Sequence, residues 1–301
     1  MKKNGHKKVF CILFFLAFTR IIGGQENLPN FNNSCFIDWT LGELYLQASF
    51  NLAQAGIKLP SGRYMAEELL KEAYPRLLRP YILSLKVDSS STIEDLLQQG
   101  ELSFEDLDSL IAEAAKSPPS LSDDLTRING RISIFTEKIS KLLLRHSRAV
   151  EPERPLMPVQ AADYTGIIII AERQLPVHGR RSEALLLPCI FPKIWDTEMN
   201  LVYERNMLNP GMQGGAQMVR YAALESIFRS TPSGLEGSLA AFAGTNPLRI
   251  IAREVYGIFP TDPVIDREDA LKILSTENNR RLLTEGKVVF VLSNEVLKNN
   301  Q

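Results

Sequence analysis

The chain has 301 residues, with 34 Lys+Arg against 35 Asp+Glu, and 45% of its residues are hydrophobic. The near-neutral balance argues against a broad nucleic-acid surface, and the apolar share is that of an ordinary globular protein. Three cysteines and three histidines exclude a cysteine-rich scaffold and leave few ligands for zinc.

The N-terminus carries a location signal. Lys2, Lys3, Lys7 and Lys8 form a basic stretch, Val9 to Phe18 is an unbroken apolar run, and Gly23 and Gly24 follow. This is the layout of a secretory signal cleaved after Gly24. The run is shorter than the roughly 20 residues a bilayer span needs, and Arg20 interrupts its extension. An uncleaved N-terminal anchor is the alternative. Cys11 lies inside the run rather than after it, so no lipid attachment is read, and the expected location is the periplasm. Cleavage removes five basic residues and no acidic ones, which moves the formal charge from −1 to −6 and leaves 277 residues. That length suits two domains. An oxidising compartment permits a bridge between Cys35 and Cys189, and two unpaired thiols are the simpler reading.

Three domain-scale segments are expected: residues 25–150, a linker at 151–162, and residues 163–297. In the first, Leu44, Leu46, Ala48, Phe50 and Leu52 alternate with polar residues, which predicts a half-buried strand. Phe36 to Thr40 is expected to pair with it through a turn near Gly42. Met65, Leu69, Leu70, Ala73 and Leu77 form a helical stripe that must kink or end near Pro75 and Pro80. Ser91 to Glu94 and Ser103 to Asp106 read as capping boxes, the second opening a helix that runs to about Lys116. Asn129-Gly130 is a turn signal before an alternating segment, Arg131 to Thr136, and a last helix covers Lys138 to His146. Pro152, Pro155 and Pro158 favour an extended connector between Val150 and Ala162.

In the second half, Gly166 to Ala171 reads as a central strand buried on both faces. Ala184 to Ile190 and Leu201 to Glu204 are further strand candidates, and Leu248 to Val255 alternates loosely. Asp266 caps a helix that reaches about Leu274. Gly286 ends a helical turn, and Lys287 to Leu292 is a closing buried strand. The fold class expected is α+β, with a small strand-helix N-terminal domain and a mixed-sheet C-terminal domain.

Candidate chemistry is sparse. His146, between Arg145 and Arg148, fits a solvated helix C-terminus. His178 sits in an exposed basic turn, with catalytic or anion-binding use as the sharper alternative. Asp196 and Glu198 are close carboxylates that could run acid–base chemistry, although neighbouring acids are usually just solvated. Gly211 to Gly215 lacks the spacing and the Lys-Ser/Thr ending of a phosphate loop. No catalytic, cofactor-binding or metal-ligating residue is assigned.

A resemblance rests on short motifs. Leu59-Pro60-Ser61-Gly62-Arg63, Ala66, Ala73-Tyr74, Leu77, Val87-Asp88-Ser89-Ser90 and Thr92 are similar to a small bacterial envelope module. That module occurs in outer-membrane lipoproteins of the flagellar P-protein type and in the first domain of flagellar assembly protein T. Tyr164-Thr165-Gly166, Pro188, Phe191-Pro192-Lys193-Ile194, Gly244 to Leu248 with Ala252, Asp266 to Ala270 with Ile273-Leu274, and Gly286 to Val289 resemble its longer envelope relatives. The resemblance implies a non-enzymatic envelope protein tied to flagellar assembly or outer-membrane organisation. Its partners would be other envelope or flagellar proteins, or a second copy of the chain, with no nucleic acid and only indirect membrane contact. Two alternatives stay open. Thr261-Asp262, Asn278-Asn279 and Arg280-Arg281 echo peptidoglycan-binding domains of the outer-membrane protein A type. An exported hydrolase would use His178 or the Asp196/Glu198 pair.

Overall fold

The computed structural model describes residues 28, 30–211, 217–225, 230–231, 234–235 and 242–300. The signal-like segment 1–24, with Cys11, and the loop residues 212–215 lie outside them.

The alternation at residues 43–52 builds a strand. β1 (Phe31–Asp38) and β2 (Glu43–Asn51) form an antiparallel hairpin, in which Leu44, Leu46, Ala48 and Phe50 are buried. They face α1 (Arg63–Leu83), a single helix of 21 residues. The expected break at Pro75 and Pro80 is therefore corrected: both prolines lie inside α1. The stripe is corrected too. Met65 and Leu69 are exposed, and the buried face is Ala66, Leu70, Ala73, Tyr74, Leu77, Leu78, Tyr81 and Ile82. This apolar face offsets the hydrogen bonds lost at the prolines, because most helical stability comes from packing.

α2 (Ile93–Gln98) opens with a capping box on Thr92 and Asp95, one residue later than expected, and α3 (Phe104–Ala112) opens with Ser103 and Asp106 as read. α3 stops short of Lys116, and Ala115–Lys116 instead form β3. β3 and β4 (Ser120–Leu121) both pair with β5 (Arg127–Phe135), which joins β2. Asn129-Gly130 is thus no turn: it lies within β5, opposite Ser49 and Ala48. Tertiary packing overrides the dipeptide, because a Cβ at Gly130 would stand 2.0 Å from the Tyr74 hydroxyl oxygen. α4 (Thr136–Leu143) ends before His146.

The second half opens with β6 (Ile167–Ala171). β7 (Leu175–Pro176) and β8 (Glu183–Ala184) form a small pair, and the expected strand over Ala184 to Ile190 is confined to Ala184. β9 (Ile194–Asp196) and β10 (Leu201–Tyr203) make a short hairpin. β11 (Arg220–Ala223), the pair β12 (Ser230–Thr231) and β13 (Gly234–Leu235), β14 (Leu248–Ile251), β15 (Glu254–Tyr256) and β16 (Asp262–Ile265) follow. α5 (Arg267–Ser275) and α6 (Glu277–Thr284) lead into β17 (Val288–Leu292), and α7 (Asn294–Leu297) into β18 (Lys298–Asn300). Asp266 sits at the start of α5, but its carboxylate pairs with Arg253 instead of capping the helix.

β6 and β17 are the centre of an all-parallel sheet, in the order β11-β17-β6-β14. Ile167, Ile169, Val288 and Phe290 face the main core, while Ile168, Val289 and Val291 pack with Ala222 and Ala243 on the opposite side. A strand covered on both faces reads as an unbroken β-branched run, which is why the Ile and Val stretches were legible. A second sheet, this one mixed in strand direction, runs β10-β9-β16-β15. The layout is α+β in two domains.

The halves interlock. β18, from the chain's last residues, pairs antiparallel with Phe36–Asp38 and completes the N-terminal sheet, whose order is β18-β1-β2-β5-β3. Lys86 to Ser89 run beside the second half, with Phe191 N donating to Val87 O at 2.7 Å and Phe259 N donating to Ser89 O at 2.9 Å. Trp39 packs edge-on against Tyr221, 5.4 Å between centroids.

Candidate functional site

A concave surface lies on the outer face of the N-terminal sheet. Period two puts Leu44, Leu46 and their neighbours against α1 and turns the alternate residues outward. Register stacks those outward residues in rows across three strands. Asn32, Ser49 and Asn129 form one row, and Ser34, Gln47 and Arg131 the next. Phe36 and Tyr45 then stack at 5.4 Å between ring centroids. Ser117 and Pro118, between β3 and β4, and Ser120, which opens β4, raise one wall, and the groove has a volume of about 540 Å³. Arg131 is its one charged lining residue. Its guanidinium lies 4.0 Å over the Tyr45 ring and donates to Glu43 at 2.9 Å, so the charge is balanced within the sheet.

A buried polar centre joins the two halves. Asp262, fully buried in β16, accepts hydrogen bonds from Lys193 N at 3.0 Å, Thr261 Oγ1 at 3.2 Å and Trp195 Nε1 at 3.2 Å, and from the Ser89 side chain across the domain boundary. Burial is the largest influence and holds its carboxyl above the usual carboxylate range against those hydrogen bonds. Beside it, Tyr221 donates its hydroxyl to Cys189 O at 2.8 Å and accepts from Cys189 N at 3.0 Å. Burial, reinforced by the Asp262 charge, pushes the Cys189 thiol far up, and burial pushes the Cys35 thiol to about 12. Both thiols are unpaired and protonated at neutral pH, which makes them inert packing residues. Asp88 behaves in the opposite way. Burial would raise it, but the amides and hydroxyls of Ser90 and Ser91 all donate to it and hold it below its ordinary value. It thereby shapes the loop that carries Ser89. Gly257 has φ +119, and a Cβ there would come within 2.4 Å of the Ser89 Cβ, so glycine lets the loop approach this closely.

The residues singled out in the sequence are mostly structural. Asp196 is buried, and its carboxylate accepts from Glu198 N at 2.9 Å and from the Asn200 amide and side chain, which closes the β9–β10 turn with Met199 at φ 60. Glu198 points away and pairs with Arg267. The two carboxylates therefore have separate partners and form no acid–base couple. His178 Nδ1 donates to Glu254 Oε2 at 2.6 Å, and its ring meets Tyr256 edge-on. His146 is corrected from a solvated helix end. It lies beyond α4, and its Nε2 donates to Leu208 O at 2.7 Å, tying the connector to the second half.

Asn279 is buried. It accepts from Tyr164 N and donates to Ala162 O and Lys272 O, while Asn278 donates to Tyr164 O, so this pair anchors the end of the connector. Arg280 donates to Leu274 O, and Arg281 pairs with Glu285 and with Asn278 Oδ1. No group of three or more His, Cys, Asp or Glu residues is placed to hold a metal among the described residues. The groove residues do not stand out as a site in the sequence. Their signal is the outward half of the β2 alternation, Tyr45, Gln47 and Ser49, which carries amide and hydroxyl groups where lysine and glutamate are more usual.

Residues 30–142 match the model of a family described as the N-terminal domain of Treponema pallidum Tp0624. Residues 166–294 match the family of that protein's second domain. The chain thus resembles Tp0624 over two consecutive domains. The gap between the matches holds the Pro-rich connector, and the groove falls wholly within the first. β18 lies past the end of the second match, although it completes the sheet of the first. No curated protein matches the chain.

Proposed function

We propose that this Tp0624-like chain is an exported, non-enzymatic protein of the bacterial cell envelope, with a structural or assembly role in the periplasm. Its partners are other envelope proteins, flagellar components among them. The observation that carries this reading is the groove. Its outward rows offer amides, hydroxyls and one internally paired arginine, which is the equipment of a surface that binds. The signal-like N-terminus and the envelope-module motifs support the location. The groups on which a hydrolase would rest are engaged elsewhere: His178 in a hydrogen bond to Glu254, Asp196 in a turn and Glu198 in an ion pair with Arg267.

Two experiments test the reading. Mass spectrometry of the native protein is expected to show an unmodified N-terminus near Gln25. A lipid-modified cysteine, or a chain still starting at Met1, would overturn ordinary export. A deletion strain is expected to show a defect in motility, cell shape or envelope integrity, and a strain normal in all three would leave the role without support.

A further inference from the structure

We infer that the outer face of the N-terminal sheet binds an uncharged, polyhydroxylated glycan chain. The inference rests on the envelope reading and names the ligand of its groove. Three observations point to it.

The first is chemical matching. Asn32, Gln47 and Asn129 each present a carbonyl acceptor and an amide donor, and Ser34 and Ser49 present hydroxyls that do both. Sugar hydroxyls also donate and accept, so each finds a partner on this face in either orientation. The second is charge. An anionic polymer needs free cations, but the guanidinium of Arg131 is taken by Glu43 and by the Tyr45 ring. Lysine and glutamate are the residues most often left to water, and neither lines the groove. The third is shape. Strands stand about 4.8 Å apart and the rows about 6.7 Å apart along them, so the face is a grid of polar groups about 10 Å wide. Phe36 and Tyr45 stack as the next outward row beyond Ser34 and Gln47, and Phe36 adds apolar ring surface of the kind that suits the C–H faces of a pyranose. The wall at Ser117–Pro118 makes the face concave, and its volume of about 540 Å³ falls in the ~300–1,000 Å³ range of ligand sites.

The test is co-sedimentation of the mature protein with insoluble chitin, an uncharged N-acetylglucosamine polymer, with soluble chitohexaose as competitor. The wild type is expected to sediment, to be released by chitohexaose and to stay bound in high salt. Gln47→Ala/Asn129→Ala is expected to bind about tenfold more weakly, the loss that two hydrogen bonds imply, with an unchanged melting temperature. If the double variant does not fold, Gln47→Ala alone carries the test, because its side chain is exposed. Unchanged binding by the variant overturns the groove as the site. Release by salt alone, or binding to intact sacculi but not to chitin, overturns the neutral-glycan assignment. A wild type that fails to sediment while the deletion strain keeps its envelope defect overturns this inference and leaves the envelope reading standing. Binding without any deletion phenotype does the reverse.

Discussion

Gly130→Ala should destabilise the N-terminal sheet, and Tyr74→Phe should rescue it. Gly130 sits in mid-strand on β5 with its α-carbon turned toward α1. An added Cβ would meet the Tyr74 hydroxyl oxygen at 2.0 Å, Leu70 Cδ2 at 3.0 Å and Tyr74 Cζ at 3.3 Å. Tyr74 and Leu70 are fully buried, so neither can swing into solvent. Overpacking of this kind costs ~1–3 kcal/mol. Alanine recovers ~0.5–1 kcal/mol of glycine's backbone entropy in a strand, which leaves a net loss of about 1–2 kcal/mol.

Tyr74→Phe acts the other way. The Tyr74 hydroxyl has no hydrogen-bond partner among the described residues, and an unsatisfied buried polar group costs ~1–3 kcal/mol. Its removal should stabilise the protein by about 1 kcal/mol. It also removes the 2.0 Å contact and leaves the nearest ring carbon at 3.3 Å. The double variant should therefore be at least as stable as the wild type, with a coupling energy of roughly 1–3 kcal/mol. Urea unfolding followed by circular dichroism measures all four corners of the cycle. A neutral Gly130→Ala, or additive single effects, would refute the claim that this glycine exists to seat Tyr74.

Asp262→Asn should change how stability depends on pH. The folded-state carboxyl titrates above its ordinary 3.8 because of burial, so the folded protein holds its proton more tightly than the unfolded chain does. That contribution is complete below 3.8 and is lost as pH rises through the folded-state value, a loss the asparagine variant lacks. Urea midpoints across the acid range should favour the Asp262→Asn protein progressively as pH rises, and parallel curves would count against the buried-carboxyl account. Ile168→Asp buries a carboxylate in the central strand β6, at several kcal/mol, and should abolish soluble folding. His178→Ala removes only a partly exposed hydrogen bond to Glu254, at ~0.5–1.5 kcal/mol, and should leave folding and complementation intact. A folded His178→Ala protein that fails to complement would restore the specific-ligand reading of that residue. Limited proteolysis should cut first between Val150 and Ala162, where Leu156 and Met157 are exposed, and early cutting within Ile167–Ala171 would contradict a domain boundary there.

Local order was readable wherever one element could satisfy its own pattern. The alternation of β2, the β-branched run of β6 and the Ser103–Asp106 cap depend on neighbours in sequence, so their residues announce them. The groove residues were visible only as the polar half of that alternation. What made them a site was register, which set Gln47 beside Ser34 and Arg131. The same limit explains the misreadings. Pro75 and Pro80 break an isolated helix, but α1 is held by its buried face. Asn129-Gly130 favours a turn locally, but Tyr74 needs the space. Asp262 with Ser89, His178 with Glu254, Asn279 with Tyr164, and β18 with β1 are each separated by 76 residues or more in the chain. Composition and spacing determined that this chain makes strands, capped helices and an exposed Pro-rich connector. Only the tertiary structure decided which carboxylates are buried, which histidines are tethered and which sheet the C-terminus completes, because burial and pairing belong to the packed chain and not to any segment of it.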